Sequence, residues 1–400
     1  MPEAAEKFGT PCYVYSRAAI ESQWQAYDTA FAGRLHLICY SVKANSNIAI
    51  LNILSRLGSG FDIVSIGELE RVLRAGGDPG KIIFSGVGKQ RSEMKRALEA
   101  GIKCFNVESL QELHRLNDTA GELGTRAPVS LRINPDVDAE THPYIATGLR
   151  ESKFGISIQD ARNVYEQAGA LPHIRVTGID CHIGSQITGN SPHVDAVKRL
   201  LVLIEQLEGS GLEIGHIDVG GGLGIRYRNE EPLVPEQLVN KICEIVRDRQ
   251  KEIIVEPGRS IVGQAGVLLT KVEYLKENSG KKFAILDAAM NDLLRPALYK
   301  AWQEILPVMQ NSNAASHRYD LVGPVCESGD FLGLDRELQL APGDLLAVCA
   351  AGAYGFCMSS NYNSRPRVAE IMIDGDIMHE IRRRESIEDL MAGESLLPGT

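Results

Sequence analysis

Short apolar segments that favour β-strands alternate along most of the chain with amphipathic helical patterns. The predicted strands are 35–42, 61–64, 81–84, 103–107, 129–133, 176–182, 216–219 and 252–255. The predicted helices between them are 49–57, 66–74, 92–100, 109–121, 159–167, 192–208 and 235–249. Eight buried strands separated by helices indicate parallel pairing, and a length of about 220 to 250 residues predicts a (β/α)8 barrel of the TIM type. An open, doubly wound sheet is the alternative arrangement.

After residue 259 the helical rhythm stops and patterns typical of β-strands follow, at 267–274, 282–286, 345–348, 368–373 and 377–381. Asp374-Gly375 predicts a tight hairpin turn between the last two. The segment 292–309 has a helical pattern that Pro296 interrupts, which predicts a short irregular insert near 290–310. We therefore predict a barrel domain over 31–262 and a mainly β domain, a β-barrel or sandwich, over 1–30 and 263–400. The N-terminal strand 12–15 would join this second domain.

Composition and charge limit the partners of the chain. The 400 residues are 44% hydrophobic, which suffices for two domains. A net charge of −10 without any basic stretch argues against nucleic acid and anionic membranes as partners. The eight cysteines form no CxxC pair, and neither an apolar signal core nor a membrane-length run occurs. These features predict a cytoplasmic location.

Polar or glycyl groups follow nearly every predicted barrel strand, at the end where such barrels build their active sites. They are Lys43, Asp62, Ser65, Ser85, Asn106, Glu108, Arg132, Asn134, His182, the glycine-rich run Gly220 to Gly224, and Glu256 to Arg259. Stability alone would bring fewer charged groups together. This set therefore contains the candidate active-site residues.

Lys43 places an amine at the end of the first predicted barrel strand. A lysine at such a position often extends its ammonium to water while its stem covers apolar surface. Alternatively, a desolvated lysine can attack a carbonyl compound and form a Schiff base. The other strand-end groups are needed to decide between these two interpretations.

The run from Gly220 to Gly224 is either a tight turn or a phosphate site built from backbone N–H groups. Glu256 and Arg259 form either a structural ion pair or the flank of that site, and His182 is either a core or a pocket residue. Taken together, these residues indicate a pocket for a phosphorylated aromatic aldehyde. We expect no metal, because no His or Asp/Glu cluster has the spacing of metal ligands.

Six motifs, in order, carry a family resemblance that covers nearly the whole chain. They are Tyr40 to Asn45, Cys181 to Gln186, Gly220 to Gly224, Glu256 to Arg259, Val325 to Asp330 and Ser359 to Arg367. Together they resemble the diaminopimelate decarboxylases, which use pyridoxal 5'-phosphate and join a barrel to a β domain. Related decarboxylases share the first four motifs.

The resemblance implies that Lys43 forms the Schiff base and that His182 stacks on the pyridine ring. Glu256 would face the ring nitrogen and keep it protonated, so that the ring accepts the electrons left at Cα when carbon dioxide departs. One departure concerns Asp180, because many family members carry a histidine at this position.

The phosphate cradle implied by the resemblance comprises Ser185, Gly222 and Gly224, with Gly258 and Arg259 beside it. The implied substrate, meso-2,6-diaminopimelate, has two amino-acid ends.

The end that does not react needs a cation for its carboxylate and an anion for its ammonium. Arg259, Arg295 and Tyr299 match the carboxylate-binding positions, Glu327 the ammonium-binding one, and Tyr354 would contact both cofactor and substrate.

Cys326 resembles the family's proton donor to the carbanion, and its alternative is an inert buried thiol. In that family Cys326 and Glu327 come from the partner subunit, which implies a homodimer with shared sites. The implied products are L-lysine and carbon dioxide. Alternative functions are decarboxylation of another basic amino acid (ornithine, arginine or carboxynorspermidine), a non-catalytic relative that binds pyridoxal phosphate, and a phosphosugar aldolase or isomerase.

Overall fold

The computed structural model describes residues 1–138, 152–189, 191–247, 249–309 and 315–399. Its contacts divide the chain into two compact units. The barrel unit comprises Glu21–Arg226 and Glu230–Ile261, and the β unit comprises Met1–Ile20, Tyr227–Asn229 and Val262–Thr400. The domain limits predicted from the sequence, 31–262 for the barrel and 1–30 with 263–400 for the β domain, remain predictions.

The chain begins with helix α1 (Pro2–Phe8), strand β1 (Cys12–Ser16) and helix α2 (Arg17–Ala30). The barrel unit then contains the strands β2 (His36–Ser41), β3 (Gly60–Ile63), β4 (Ile82–Phe84), β5 (Cys104–Val107), β6 (Ala127–Asn134), β7 (Ile156–Ser157), β8 (Ile174–Asp180), β9 (His216–Asp218) and β10 (Glu252–Val255). All of these strands except β7 form a ring in which every pair is parallel. Pairing of β5 with β6 and of β10 with β2 closes the ring. The closure confirms the predicted (β/α)8 barrel and excludes the open sheet.

The helices of the barrel unit are α3 (Ile48–Arg56), α4 (Ile66–Arg74), α5 (Arg91–Ala100), α6 (Leu110–Glu122), α7 (Ile158–Ala170), α8 (Ser191–Gly209), α9 (Pro235–Ile245) and α10 (Arg259–Val262). Side-chain caps explain several of their starts. Asn47, Ser65 and Ser109 accept hydrogen bonds from the first-turn amides of α3, α4 and α6. These caps fix where the chain leaves the strand ends, and hence where the strand-end side chains stand.

The β unit forms one sheet of nine strands within the described ranges. After β1 these are β11 (Gly266–Asn278), β12 (Lys281–Leu286), β13 (Ile305–Pro307), β14 (Ser316–Val322), β15 (Phe331–Gln339), β16 (Leu345–Val348), β17 (Ala369–Asp374) and β18 (Ile377–Arg382), with helices α11 (Arg295–Tyr299) and α12 (Ile387–Met391). The order is β15-β14-β12-β11-β1-β17-β18, and β16 pairs with β11 and β13. As predicted, β1 joins this sheet, and Asp374-Gly375 turns the chain from β17 into β18.

The segment 292–309, for which we predicted a short irregular insert with an interrupted helical pattern, contains one short helix and one short strand. Only Arg295–Tyr299 is helical, with Pro296 in its first turn, where the missing N–H costs no hydrogen bond. Ile305–Pro307 is a strand paired with β16. The sequence patterns also missed β14 and β15. The first three residues of β14 are exposed and show no apolar alternation, and two consecutive exposed residues, Leu334 and Asp335, interrupt the alternation in β15.

No described helix has both the length and the apolar character needed to cross a lipid bilayer.

Candidate active site

Lys43 lies on a single 3₁₀ turn (Val42–Ala44) directly after β2. Its Nζ donates a hydrogen bond to Asp62 Oδ2 at 2.5 Å, and one third of its side chain remains exposed. Asp62 is fully buried in β3, so this contact draws the amine toward the end of the barrel. The lysine is thus held by a buried carboxylate rather than extended into solvent.

Ser41 connects this lysine to Glu256. Its Oγ lies 3.0 Å from both Asp62 Oδ2 and the backbone oxygen of Glu256. Glu256 directly follows β10, is 3% exposed, and its Oε1 lies 3.5 Å from Asn106 Nδ2. Lys43 and Glu256 therefore stand at the same end of the barrel, linked by hydrogen bonds through Asp62 and Ser41.

His182 follows β8 and presents a neutral ring to this end of the barrel. Burial, reinforced by the charges of Arg132 and Lys43, lowers the pKa of His182 to about 3. The Gly221 amide donates to Nδ1 at 3.2 Å, which assigns the ring proton to Nε2. Glu256 Oε2 is 3.6 Å from Nδ1, so this approach is a contact with a neutral ring and not an ion pair.

The glycine-rich run after β9 packs against the loop after β8 through main-chain hydrogen bonds. Ile187 N donates to Gly222 O at 2.8 Å, and Gly224 N donates to Ile187 O at 2.9 Å. Gly222 has φ 103°, and a Cβ there would lie 2.4 Å from the oxygen of Gly184. Only glycine allows two backbones to approach this closely with that conformation.

The remaining predicted phosphate residues come together beside this run. Arg259 is almost fully buried, and its Nη2 donates to Ser185 Oγ at 2.9 Å. A Cβ on Gly258 would lie 2.9 Å from the Cβ of Ala44, so the chain after Glu256 packs directly on the turn that carries Lys43.

These features fit pyridoxal phosphate on chemical grounds. A hydroxyl, a guanidinium and a backbone that a Cβ would obstruct form a cradle for a phosphate. A neutral imidazole offers a flat face, a buried carboxylate suits a protonated ring nitrogen, and an amine suits the aldehyde. The residues expected from the sequence to hold this cofactor in the barrel unit therefore occur together in it.

Sequence reasoning gave no role to the ion pair that supports His182. Arg132 Nη1 donates to Glu108 Oε1 at 3.0 Å, and both side chains are buried. Arg132 Nη2 lies 3.4 Å from the backbone oxygen of His182. The sequence placed both residues at strand ends, and this position was the available sign of a role in the site. Their pairing could not be predicted, because the two residues are 24 positions apart in the chain.

Three buried carboxyl groups, of Asp180, Asp218 and Glu256, also meet in the barrel unit, with oxygens within 4.8 Å of one another. We call them the carboxyl triad. They come from the ends of β8, β9 and β10. The sequence did not predict this cluster, because its three members are far apart in the chain and only the pairing of the barrel strands brings them together. Their oxygens alone could ligate a metal ion.

The other predicted site residues belong to the β unit. Arg295 begins α11, is buried, and places its guanidinium 4.5 Å from the centre of the Tyr227 ring. Tyr299 ends that helix, and Tyr354 adopts φ 54°. Both tyrosines are half-buried.

Cys326 and Glu327 lie on an exposed turn of the β unit, which the motif Ser359 to Arg367 supports. Tyr362 Oη donates to Glu327 Oε1 at 2.5 Å, and Cys326 N donates to Asn363 Oδ1 at 3.0 Å. Asp330 Oδ2 accepts from the Val325 amide at 2.8 Å and so fixes the turn from within. The alternative interpretation of Cys326, an inert buried thiol, does not match this exposed position.

The motif itself is held in a strained backbone conformation. Asn363 and Ser364 have φ values of 55° and 54°, which non-glycine residues seldom adopt. Arg365 stabilises it by donating to Asp287 O at 2.6 Å and to Asn291 Oδ1 at 3.0 Å. Neither Tyr362 nor Asn363 was given a role from the sequence.

Comparisons with known proteins show the family of this chain. The family model described as "Pyridoxal-dependent decarboxylase, pyridoxal binding domain" matches residues 17–263. The diaminopimelate decarboxylase of Pseudomonas aeruginosa is 62% identical over 98% of this chain and 95% of its own length. That of Vibrio cholerae is 60% identical over 100% and 95%, respectively. The crystal structure of diaminopimelate decarboxylase from Helicobacter pylori complexed with L-lysine superposes with a TM-score of 0.95 at 42% identity, covering 98% of both chains.

The shared fold, the near-complete coverage and identities of 60% and 62% show the family. The chain belongs to the pyridoxal-dependent decarboxylases, and among them to the diaminopimelate decarboxylase family.

Proposed function

We propose that the chain removes the carboxyl group at the D-configured end of meso-2,6-diaminopimelate, giving L-lysine and carbon dioxide, with pyridoxal phosphate as cofactor. This is the last step of lysine biosynthesis. One observation carries the proposal: Lys43, His182, Glu256 and the Gly222 turn occupy the same end of the barrel. A phosphosugar aldolase or isomerase would explain neither the family to which the chain belongs nor the buried carboxylate beside a neutral histidine.

When bound, pyridoxal phosphate supplies an electron sink for the pair released as the carboxylate leaves. Lys43 would hold the aldehyde end, and His182 would pack on the ring. Glu256, with its negative charge, would keep a proton on the ring nitrogen. Asp62 holds the Lys43 amine at the end of the barrel where the aldehyde would bind.

The phosphate would be held by Ser185, the backbone of the run from Gly222 to Gly224, and the backbone at Gly258. Arg259 already bonds Ser185, so one guanidinium would both orient the hydroxyl and neutralise the phosphate. The close loop packing at Gly222 keeps this cradle in place before the cofactor binds.

For the substrate, we propose that Arg259, Arg295 and Tyr299 bind the distal carboxylate and that Glu327 binds the distal ammonium. Tyr354 would contact both substrate and cofactor. Glu327 is suited to this task because the Tyr362 hydroxyl occupies only one of its two oxygens. This pair of opposite charges favours a two-headed substrate over ornithine, arginine or carboxynorspermidine.

We propose that Cys326 delivers the proton that replaces the carboxyl group and that it reaches the site from the partner subunit of a homodimer. Support comes from its exposed position next to Glu327 on a turn whose backbone Asp330 and Asn363 fix. We also propose a cytoplasmic location, supported by the eight cysteines, none of which forms a disulfide in the part of the chain that the structure describes.

The decisive experiment measures carbon dioxide and lysine formed from meso-diaminopimelate by the purified protein, with and without pyridoxal phosphate. Ornithine, arginine, carboxynorspermidine and LL-diaminopimelate are run in parallel. Lys43→Ala should lower turnover by roughly 10³-fold or more, because the covalent route is lost. Lys241→Ala, which removes an exposed lysine paired with Glu244, should leave it unchanged.

Faster turnover of another amino acid would replace the substrate proposed here. Cofactor binding without turnover of any of these substrates would favour a non-catalytic relative. Full activity of Lys43→Ala would refute the mechanism.

A further inference from the structure

The carboxyl triad of Asp180, Asp218 and Glu256 is almost completely removed from water. Their exposed fractions are 1%, 0% and 3%. Asp180 and Asp218 are direct neighbours in the register of β8 and β9, and Asp218 in turn pairs with Ile254 of β10. Three carboxylates at such short range in a dry interior repel one another strongly unless some are neutral.

Counting the surrounding charges shows how many can be ionised. The charged groups acting on the triad from the surrounding strands and turns are Asp62, Glu108, Arg132 and Lys43. His182, which also faces Glu256, is neutral. If all carboxyl groups were ionised, five anions would face two cations.

Those two cations already have partners. Arg132 is paired with Glu108, and Lys43 with Asp62. Neither Asp180 nor Asp218 therefore has a cation of its own among these pairs.

The hydrogen bonds of the triad point the same way. Asp218 Oδ1 accepts from the Gly220 amide at 2.9 Å. Asp218 Oδ2 and Asp180 Oδ1 are buried and find no hydrogen-bond donor among the described residues. An ionised oxygen without a donor is costly in such a place. A proton on it turns it into a donor, and the nearest carboxylate can then accept.

We propose that Asp180 and Asp218 are neutral carboxylic acids that donate hydrogen bonds within the triad, and that Glu256 carries its single negative charge. Both are positioning residues: they hold Glu256 ionised and oriented toward the cofactor's ring nitrogen. This proposal rests on the proposed function, since it assigns the task of Glu256. With both acids neutral, the anions are Asp62, Glu108 and Glu256, and the cations are Lys43 and Arg132. The one negative charge in excess would be balanced by the proton on the ring nitrogen.

Burial and the neighbouring Glu256 carboxylate also raise the pKa of Asp180 and of Asp218 well above the ordinary range. Burial raises the pKa of Glu256 as well, while the positive charges of Lys43 and Arg132 oppose this shift. Glu256 is thus the member whose ionised form the charges of both Lys43 and Arg132 favour, and we assign the single negative charge to it.

The identity of residue 180 gains a chemical meaning from this arrangement. An aspartate at this position can donate toward the Glu256 carboxylate only when it is protonated. The carboxyl triad therefore gives this chain a hydrogen-bond donor at position 180.

Infrared spectroscopy of the cofactor-free protein tests the protonation directly, without any need for catalysis. At neutral pH the spectrum should contain C=O bands of protonated carboxyl groups, and Asp180→Asn and Asp218→Asn should each remove one. Asp376→Asn, a change at an exposed carboxylate, should leave these bands unaltered. Absence of such bands, or their persistence in both variants, would overturn the proposal. Each variant is informative by itself if the other does not fold.

Cofactor binding tests the positioning role. An amide still donates a hydrogen bond and cannot ionise, so Asp218→Asn should bind pyridoxal phosphate within about threefold of the parent affinity. Asp218→Ala removes the donor and should weaken binding roughly 10- to 100-fold. Equal loss in both variants would reduce the role of Asp218 to simple packing and would overturn this part.

The competing occupant of the triad is a metal ion. Elemental analysis of the purified parent and of Asp180→Asn distinguishes a bound metal ion from shared protons. A stoichiometric metal in the parent that the variant lacks would contradict the shared-proton arrangement, whereas metal-free protein supports it. If decarboxylation fails while the infrared bands behave as expected, the proposed function is wrong and the protonation of the triad still stands.

Discussion

The hydroxyl of Tyr362 donates to Oε1 of Glu327 at 2.5 Å, which holds an exposed carboxylate in one orientation. The other oxygen, Oε2, has no hydrogen-bond partner among the residues that the structure describes, and it lies on the same turn as Cys326. This hydrogen bond, together with the charge of Glu327, raises the pKa of the Tyr362 hydroxyl, so the tyrosine remains a donor. A motif without an assigned role in the sequence thus orients the proposed ammonium-binding residue.

Tyr362→Phe should raise the KM for diaminopimelate about 5- to 20-fold while kcat changes less than about threefold, because substrate and transition state lose the same contact. Steady-state kinetics with the holoenzyme checks this. The matched control is Tyr274→Phe, another exposed tyrosine of the β unit, which should leave both constants unchanged. An unaltered KM in Tyr362→Phe would separate this tyrosine from substrate binding.

Gly222→Ala should weaken pyridoxal phosphate binding by at least about tenfold, since its Cβ would lie 2.4 Å from Gly184 O at φ 103°. The loop must open to relieve this contact, and the phosphate cradle opens with it. Titration of the cofactor-free protein, followed by visible absorbance, measures the affinity. Gly189→Ala, with no atom within 4 Å of the added Cβ, is the control. Equal affinities would place the phosphate elsewhere.

Gly178→Ala should destabilise the barrel unit by about 1–3 kcal/mol or more, through overpacking. The new Cβ would lie 2.1 Å from His216 Nε2, in a ring that is itself almost fully buried. Gly209→Ala, at the end of α8, meets no atom within 4 Å and should be neutral or slightly stabilising. Urea unfolding of the three proteins compares them. A Gly178→Ala protein as stable as the parent would show that His216 can move aside cheaply.

The pH dependence of stability should contain a clear contribution from His216. Burial, with help from Lys103, lowers the pKa of His216 from 6.5 to about 3. As the pH falls below 6.5, His216 binds a proton in the unfolded chain but not in the folded chain, so the free energy of unfolding decreases. Between about pH 7.5 and about pH 5 this group should cost about 2 kcal/mol, at 1.36 kcal/mol per pH unit below 6.5.

His216→Gln removes this titration, so its unfolding free energy should fall less over the same interval than that of the parent. The buried acids of the triad act in the opposite direction, because their raised pKa values favour the folded state as the pH falls. They do so in both proteins, so the difference between the two slopes isolates His216. Parallel slopes would contradict the prediction.

Mixing two inactive variants, Lys43→Ala and Cys326→Ala, should restore activity if the sites are shared. In a mixed dimer one site combines an intact Lys43 with the partner's intact thiol, and the other site has neither. Random exchange of equal amounts should therefore recover roughly a quarter of the parent activity per site. Subunit exchange is verified independently with differently tagged copies. No recovery after proven exchange would mean that each chain builds its own site.

The sequence by itself determined the barrel, the addition of β1 to the second sheet and the strand-end position of Lys43. The reason is local. Buried parallel strands are short apolar runs, amphipathic helices repeat every 3.6 residues, and caps such as Asn47 mark where a helix begins. In the β unit this signal failed at β14, because a strand that is exposed over its first half has no such run.

Only the tertiary structure decided which strand-end groups are partners. The contacts between Lys43 and Asp62, within the carboxyl triad, and between Tyr362 and Glu327 each join residues that are far apart in the chain. Their energies depend on distance and on exclusion of water, which no local pattern of apolar and polar residues encodes. The closing of the barrel brings these groups together, and the same burial that stabilises the fold sets which of its acids keep their protons.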